Sequence, residues 1–396
     1  MGTLINKLVL ASLLMGCSIG TYTQAAEVAA VETGKKSENN LRIGGYGQLE
    51  YNQQFSSQTQ YAGKLDPHRV VLFIGYQFSP TIHLVSEFEV EHGNEFYVEQ
   101  TYLKYKVNKN FQLRGGVMLI PMGLINESHE PTRFNGVKRP SIDNLLIPTT
   151  WRELGIGLRG KDNESAIDYQ VYIFNGFNGY DTQTRLTGKD GFRKGRQKAL
   201  NSYITSPNLA AKINYGGINN LNVGIAGYFG KSQSKMFDKL DKSASEKRTK
   251  ADSTTVNIAM IGIDAQYKVK GWEFRGEYIH TFIGNTEQYN SFNGKKNDLG
   301  SQMMGWYLEA SYDLLSTHYL GKKKLVPFIR YESYDTHHKV SGITKNSAYQ
   351  FDEICAGIGF YPTENVAFKV DYQRRHNAHD SALNENWFNA GIGYVF

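Results

Sequence analysis

The residues able to do chemistry in this 396-residue chain are mostly charged, and they fall into three groups. The first lies between Pro121 and Thr149, where Arg133, Lys138 and Arg139 fall within seven positions, with His129 nearby. Cations this close together can hold an anion, provided they point at the same space. Glu127, Glu130 and Asp143 lie in the same stretch, three against three, so a solvated or internally paired loop remains open on charge alone. The second group is the segment 177–204, where Arg185, Lys189, Arg193, Lys194, Arg196 and Lys198 outnumber Asp181 and Asp190. That excess of positive charge can focus anions toward an opening, or bridge phosphate groups at a membrane surface. The third group is dispersed: Arg69, Arg114, Arg159, Arg275, Arg330, Lys369 and Arg375 recur at alternate positions of apolar segments, among Glu87, Glu89, Glu153, Asp168, Glu273, Glu277, Glu309, Glu332, Glu353 and Asp371. No nucleophile stands with a base and an orienting acid, so no catalytic residues are expected. The pairs His337–His338 and His376–His379 lack a cysteine or a carboxylate frame and read as solvated loop, so neither a metal nor a cofactor is expected.

The elements that carry these charges follow a period of two. Trp272, Phe274 and Tyr278 alternate with Glu273, Arg275 and Glu277, and Val366, Phe368, Val370 and Tyr372 alternate with Ala367, Lys369, Asp371 and Gln373. Sixteen such segments are expected, near 42–54, 65–79, 80–91, 95–107, 109–120, 150–161, 164–175, 206–216, 220–231, 254–269, 271–283, 303–315, 323–334, 350–361, 364–375 and 387–396. In the fourth, Phe96, Val98 and Tyr102 compete with Tyr97, Leu103 and Tyr105 for the apolar face, which predicts a bulge or a misplaced strand edge. Connections after even-numbered segments are short and those after odd-numbered ones mostly long. An even number of strands with an apolar exterior and loops sorted by length is the pattern of a transmembrane antiparallel β-barrel with long extracellular loops. A soluble sandwich has no reason to sort its loops by length. Tyr46, Tyr105, Trp151, Trp306 and Trp387 are expected in aromatic girdles at the membrane edges.

Composition agrees with this reading. Apolar residues are 40% and aromatic residues 13%, enough to bury a large surface and to exclude disorder over the whole chain. A mean hydropathy of −0.46 excludes a helical membrane protein. A net charge of +6 without arginine-rich blocks argues against nucleic acid as a partner. Residues 1–25 read as a cleaved export signal, with Lys7, an apolar run from Leu8 to Met15, and Thr23-Gln24-Ala25 as the cleavage site. Residues 26–41 form a polar segment and 42–396 the barrel. Cleavage removes Cys17 and leaves Cys355 alone, which excludes an intramolecular disulfide. Lipidation at Cys17 is a minor alternative. Phe388, Ala390, Ile392, Tyr394 and Phe396 give the last strand an alternating apolar face ending in Phe, which resembles an assembly signal of bacterial outer-membrane barrels.

The chain resembles the phosphate-selective porin O and P family of Gram-negative outer membranes. The resemblance rests on Arg42-Ile43-Gly44-Gly45-Tyr46-Gly47-Gln48, on Gly116-Val117-Met118-Leu119-Ile120-Pro121-Met122-Gly123, on Arg152-Glu153-Leu154-Gly155-Ile156-Gly157-Leu158-Arg159-Gly160, and on Tyr172-Ile173-Phe174-Asn175-Gly176-Phe177-Asn178-Gly179. It implies a homotrimer of sixteen-stranded barrels, each with a third loop folded inward to narrow a pore lined with Lys and Arg. On that basis 121–149 is the expected constriction, docked by Leu145, Leu146, Ile147 and Pro148, and 177–204 the mouth loop. The expected function is passive diffusion of small hydrophilic solutes across the outer membrane, with a mild preference for anions such as phosphate. Lipopolysaccharide is an expected neighbour. A cation-preferring or general nutrient porin, and a plugged barrel acting as an adhesin, are the alternatives.

Overall fold

The computed structural model describes residues 40–241, 243–294, 296–316, 322–377 and 379–396. The expected export signal and most of the polar segment lie outside them. Sixteen antiparallel strands close into one barrel: β1 (Leu41–Phe55), β2 (Lys64–Gln77), β3 (Ile82–Glu91), β4 (Glu95–Lys106), β5 (Phe111–Leu119), β6 (Arg152–Asp162), β7 (Ile167–Phe174), β8 (Asn208–Ile218), β9 (Leu221–Lys231), β10 (Asn257–Val269), β11 (Trp272–Gly284), β12 (Gln302–Tyr312), β13 (Lys324–Lys339), β14 (Gln350–Thr363), β15 (Val366–His376) and β16 (Glu385–Val395). Each expected segment corresponds to one strand. The largest difference is β13, which runs on to Lys339 and takes in His337 and His338. β1 closes the barrel on β16, and Gly45 and Phe396 exchange backbone hydrogen bonds at the seam.

Alternation sets the two faces. Along β12, Met303, Gly305 and Tyr307 point inward while Leu308 is 61% exposed on the outside. Ile213, Ile225, Ile263, Ile329 and Ile354 are likewise exposed, a continuous apolar exterior that a soluble monomer does not carry. A charge at mid-strand on this face meets hydrocarbon instead of headgroups. Leu308→Arg is therefore expected to cost about 2 to 4 kcal/mol and to reduce the yield of the compact, heat-modifiable form on unheated gels; normal assembly would mean that Leu308 does not face lipid.

The two ends of the barrel differ, as the segment spacing predicts. One end carries the brief connections 78–81, 107–110, 163–166, 219–220, 270–271 and 364–365, and the other the long ones 120–151, 175–207, 232–256 and 285–301. There are two exceptions, a brief 92–94 at the long-loop end and a longer 313–323 at the other. Lys270 and Gly271 have φ of 46° and 88°, and this left-handed pair turns Val269 directly onto Trp272.

The bulge in β4 is present. Gln100 pairs with Glu87 and Val98 with Phe88, so Glu99 is the extra residue. It switches the parity: Phe96 is exposed on one side of the bulge, Leu103 and Tyr105 on the other, while Glu99 and Gln100 both point inward. Each competing register is correct in its own half of the strand.

Three of the expected girdle aromatics face inward instead. Tyr46 is buried and donates to Glu99 at 2.9 Å. Trp151 stacks on Phe177 at 4.3 Å, and Trp387 lies under Lys138 at 4.7 Å. Outward-facing rings include Tyr76, Tyr105, Tyr215, Tyr267 and Trp272 at the short-turn end, and Phe55, Phe96, Phe229, Phe282 and Tyr372 toward the long loops. His337, expected in a solvated loop, is buried, with Nε2 2.5 Å from the carbonyl of Asp298.

Candidate functional site: a cationic cavity in the lumen

The connection between β5 and β6, hereafter the third loop, turns into the barrel because half of it is apolar. Ile142, Leu146, Ile147 and Trp151 are fully buried in a cluster with Phe177, Phe192, Met303 and Tyr334. Gly123 makes the entry turn with φ of 71°, where a side chain would collide with Glu277.

Polar groups of the wall then bond the loop's backbone. Glu277 accepts from Leu124 N at 3.0 Å, Asp371 from Val137 N at 2.6 Å and Glu332 from Ser141 N at 2.6 Å. Lys212 donates to Gly123 O at 2.7 Å, and Lys369 to the carbonyls of Phe134 and Gly136. Arg275 donates to Arg133 O at 2.7 Å. Glu332 sits at the N-terminus of the loop's one helical turn, Ile142–Leu145, where unpaired N–H groups favour a carboxylate.

Between this loop and the wall of β1 and β2 lies a cavity of about 290 Å³. Its cations are Arg69, Lys138, Arg139 and Arg193, and its carboxyls are Glu50 and Asp143; Gln48, His68 and Gln373 also line it. Burial, with Glu277 and Glu332 next in effect, pushes the Asp143 carboxyl well above the usual carboxylate range. Burial and then Arg69 lower the Arg139 guanidinium to about 9, which leaves it charged. Four cations therefore share the cavity with two carboxyls, Glu50 and Asp143, and one of the cations, Arg69, is also paired with Glu89 at 3.8 Å.

The expected residues divide accordingly. Lys138, Arg139 and Asp143 meet at the cavity, whereas Arg133 is exposed away from it. Glu127 accepts from Gln170 at 2.9 Å, and Glu130 is buried. On the wall only Arg69 reaches the cavity, beside Gln48 Oε1 at 3.1 Å. Arg159 pairs with Asp168 at 2.7 Å, Arg275 with Glu273 at 2.5 Å, Arg330 with Glu309 and Glu332 at 3.3 and 3.1 Å, and Arg375 with Glu353 at 3.2 Å. Arg114 lies over the Tyr102 ring, and Lys369 is used by the third loop.

The basic mouth loop also turns inward. Arg193 donates to Thr149 O at 2.9 Å, Arg196 to Pro148 O at 3.1 Å, and Phe192 N to Leu145 O at 3.2 Å. Arg185 and Lys194 pair with Asp181 and Asp190, Lys198 lies 4.0 Å over Tyr97, and Lys189 and Lys194 are exposed. Gln48 and Glu50 were open to the same alternation that marks the rest of the wall. His68 was not, because a bulge between β1 and β2 alters the parity there. Asp66, His68 and His92 form a cluster that sequence reading did not foresee.

Solved porins share the architecture at low identity, which establishes fold alone. The outer membrane channel DcaP of Acinetobacter baumannii superposes with a TM-score of 0.56 at 11% identity, over 91% of this chain and 99% of that one. An anion-selective porin from Comamonas acidovorans gives 0.55 at 12% identity, over 91% and 100%. Salmonella typhi OmpF in complex with daunomycin gives 0.56 at 14%, over 90% and 98%. An uncharacterised protein of Aquifex aeolicus strain VF5 is 29% identical over 375 residues, 91% of this chain and 80% of its own length. The family model described as phosphate-selective porin O and P matches residues 73–396, and the chain belongs to that family of outer-membrane porins.

Proposed function

We propose that the barrel passes small hydrophilic solutes by diffusion and prefers anions, phosphate among them. The observation that carries this is the lumen cavity, where Arg69, Lys138, Arg139 and Arg193 outnumber Glu50 and Asp143, and burial pushes the Asp143 carboxyl toward its neutral form. A fixed charge acts on a passing ion within about 8 to 10 Å at ordinary salt, so charges around a neck outweigh paired charges along the wall. The paired state of Arg159, Arg275, Arg330 and Arg375 supports the same weighting. Assembly as a trimer, placement of the long loops outside the cell and contact of Lys189 and Lys194 with lipopolysaccharide belong to this reading.

The zero-current potential across a potassium chloride gradient tests it. The native channel should sit on the chloride side. Lys138→Glu with Arg139→Glu should move the potential toward potassium by several-fold in permeability ratio, while Arg133→Glu moves it least. A native potential on the potassium side, or a double variant like the native protein, would end the anion reading.

A plugged barrel is the second reading. It is favoured by the third loop's bonds to opposite walls, from Gln48 on β1 to Glu277 on β11. Absence of open steps from assembled protein would establish it.

A further inference from the structure

We propose that Asp66, His68 and His92 form a binding site for a divalent transition cation of the zinc class, at the long-loop rim of the barrel. Asp66 Oδ2 lies 2.7 Å from His92 Nδ1 and 3.5 Å from His68 Nδ1, and one ligand atom from each residue falls within 4.8 Å of the others. Donors around a tetrahedral ion at 2.0–2.1 Å stand about 3.3 Å apart, so the spacings bracket what an ion requires and small ring rotations close it. The space for those rotations exists, since His68 and His92 are half-buried or exposed and their rings meet edge to face at 5.5 Å.

The backbone brings together residues far apart in sequence. Gln48 pairs with Arg69 and Glu50 with Asp66, so β2 carries one extra residue opposite Leu49. That bulge lets His68 join Arg69 at the cavity wall. His92 enters from the brief β3–β4 connection with φ of 52°, followed by Gly93 at 77°. This left-handed turn brings the His92 imidazole to Asp66.

Two imidazoles and one carboxylate suit zinc, copper or nickel; calcium and magnesium want oxygen donors throughout. Three protein ligands leave a tetrahedral ion one position for water or an anion. Because His68 also lines the cationic cavity, a bound ion would place two further positive charges beside it. Arg69, Arg139 and Lys138 act on His68 from the cavity side, and Glu50, the register partner of Asp66, offsets part of that repulsion. The site stands on its own geometry and does not depend on the anion preference.

The test uses the tag-free full chain, refolded in detergent and stripped with a chelator. Isothermal titration with Zn²⁺ is expected to show one site per chain at micromolar concentration, Co²⁺ to give the intense visible absorption of a tetrahedral complex, and Ca²⁺ to give nothing. His92→Ala and His68→Ala should each weaken Zn²⁺ binding at least about tenfold, with assembly checked by heat-modifiable migration. Asp66→Asn, which keeps the side-chain shape, should weaken it as well if either alanine variant fails to assemble. Native protein without saturable Zn²⁺ uptake would overturn the proposal. So would uptake unchanged by His92→Ala, or lost instead with His338→Ala, since the rings of His280 and His338 also lie 5.5 Å apart.

Discussion

Excision of residues 124–147, with the ends joined by a short flexible linker, is expected to enlarge the single-channel step several-fold while the barrel still assembles. A sixteen-strand barrel is wide enough to hold an aqueous channel unless something fills it, and here the third loop does. Its carbonyls and N–H groups take up Lys212, Lys369, Glu277, Glu332 and Asp371 from the wall. Water replaces the bonds to Lys369, Glu277, Glu332 and Asp371 once 124–147 is gone, while Gly123 stays as the acceptor of Lys212, so no uncompensated buried charge is left to oppose assembly. The ion pairs within the wall, such as Lys212 with Asp264 at 2.9 Å, remain. Conductance unchanged in an assembled variant would assign the narrowing to the mouth loop instead.

Arg330→Met should be among the most damaging single substitutions inside the barrel, at about 3 to 5 kcal/mol. Arg330 is almost fully buried between Glu309 at 3.3 Å and Glu332 at 3.1 Å, and its removal takes the paired cation from Glu332 and leaves Glu309 only Arg275, at 4.0 Å. Glu332 is also the acceptor for the third loop's helical turn, so the damage reaches that loop. The measurement is the temperature at which the compact gel band converts to the unfolded one. A conversion temperature within a degree or two of native would show that water enters this part of the wall freely.

Period-two alternation was sufficient to find all sixteen strands, because every strand separates lipid from lumen and a misplaced charge is expensive on one side only. It was insufficient wherever the parity changes. The extra Glu99 exchanges the two faces of β4, and the bulge in β2 hides His68. Alternation also assigns aromatics to a face only if the inside is wet. Tyr46, Trp151 and Trp387 look like membrane-edge residues until the two inward loops give them partners inside, His129 for Tyr46, Phe177 for Trp151 and Lys138 for Trp387.

Of the site, Arg69, Lys138, Arg139 and Arg193 could be nominated one by one from their types and positions. Their convergence could not, because it depends on how two loops fold across the lumen. Arg133 shows the limit: six positions from Arg139 in sequence, it is exposed away from the cavity that Arg139 lines.

The clasp between the two inward loops bears on how such a sequence diverges. Surface connections usually drift fastest, because little constrains them. Here Phe192, Arg193 and Arg196 bond the backbone of Leu145, Pro148 and Thr149. Substitution in 192–196 therefore changes the support of the third loop, and neither segment is free to vary without the other. Among homologues the two stretches should change together, while Lys189 and the exposed helix Ser245–Asp252 vary independently of both.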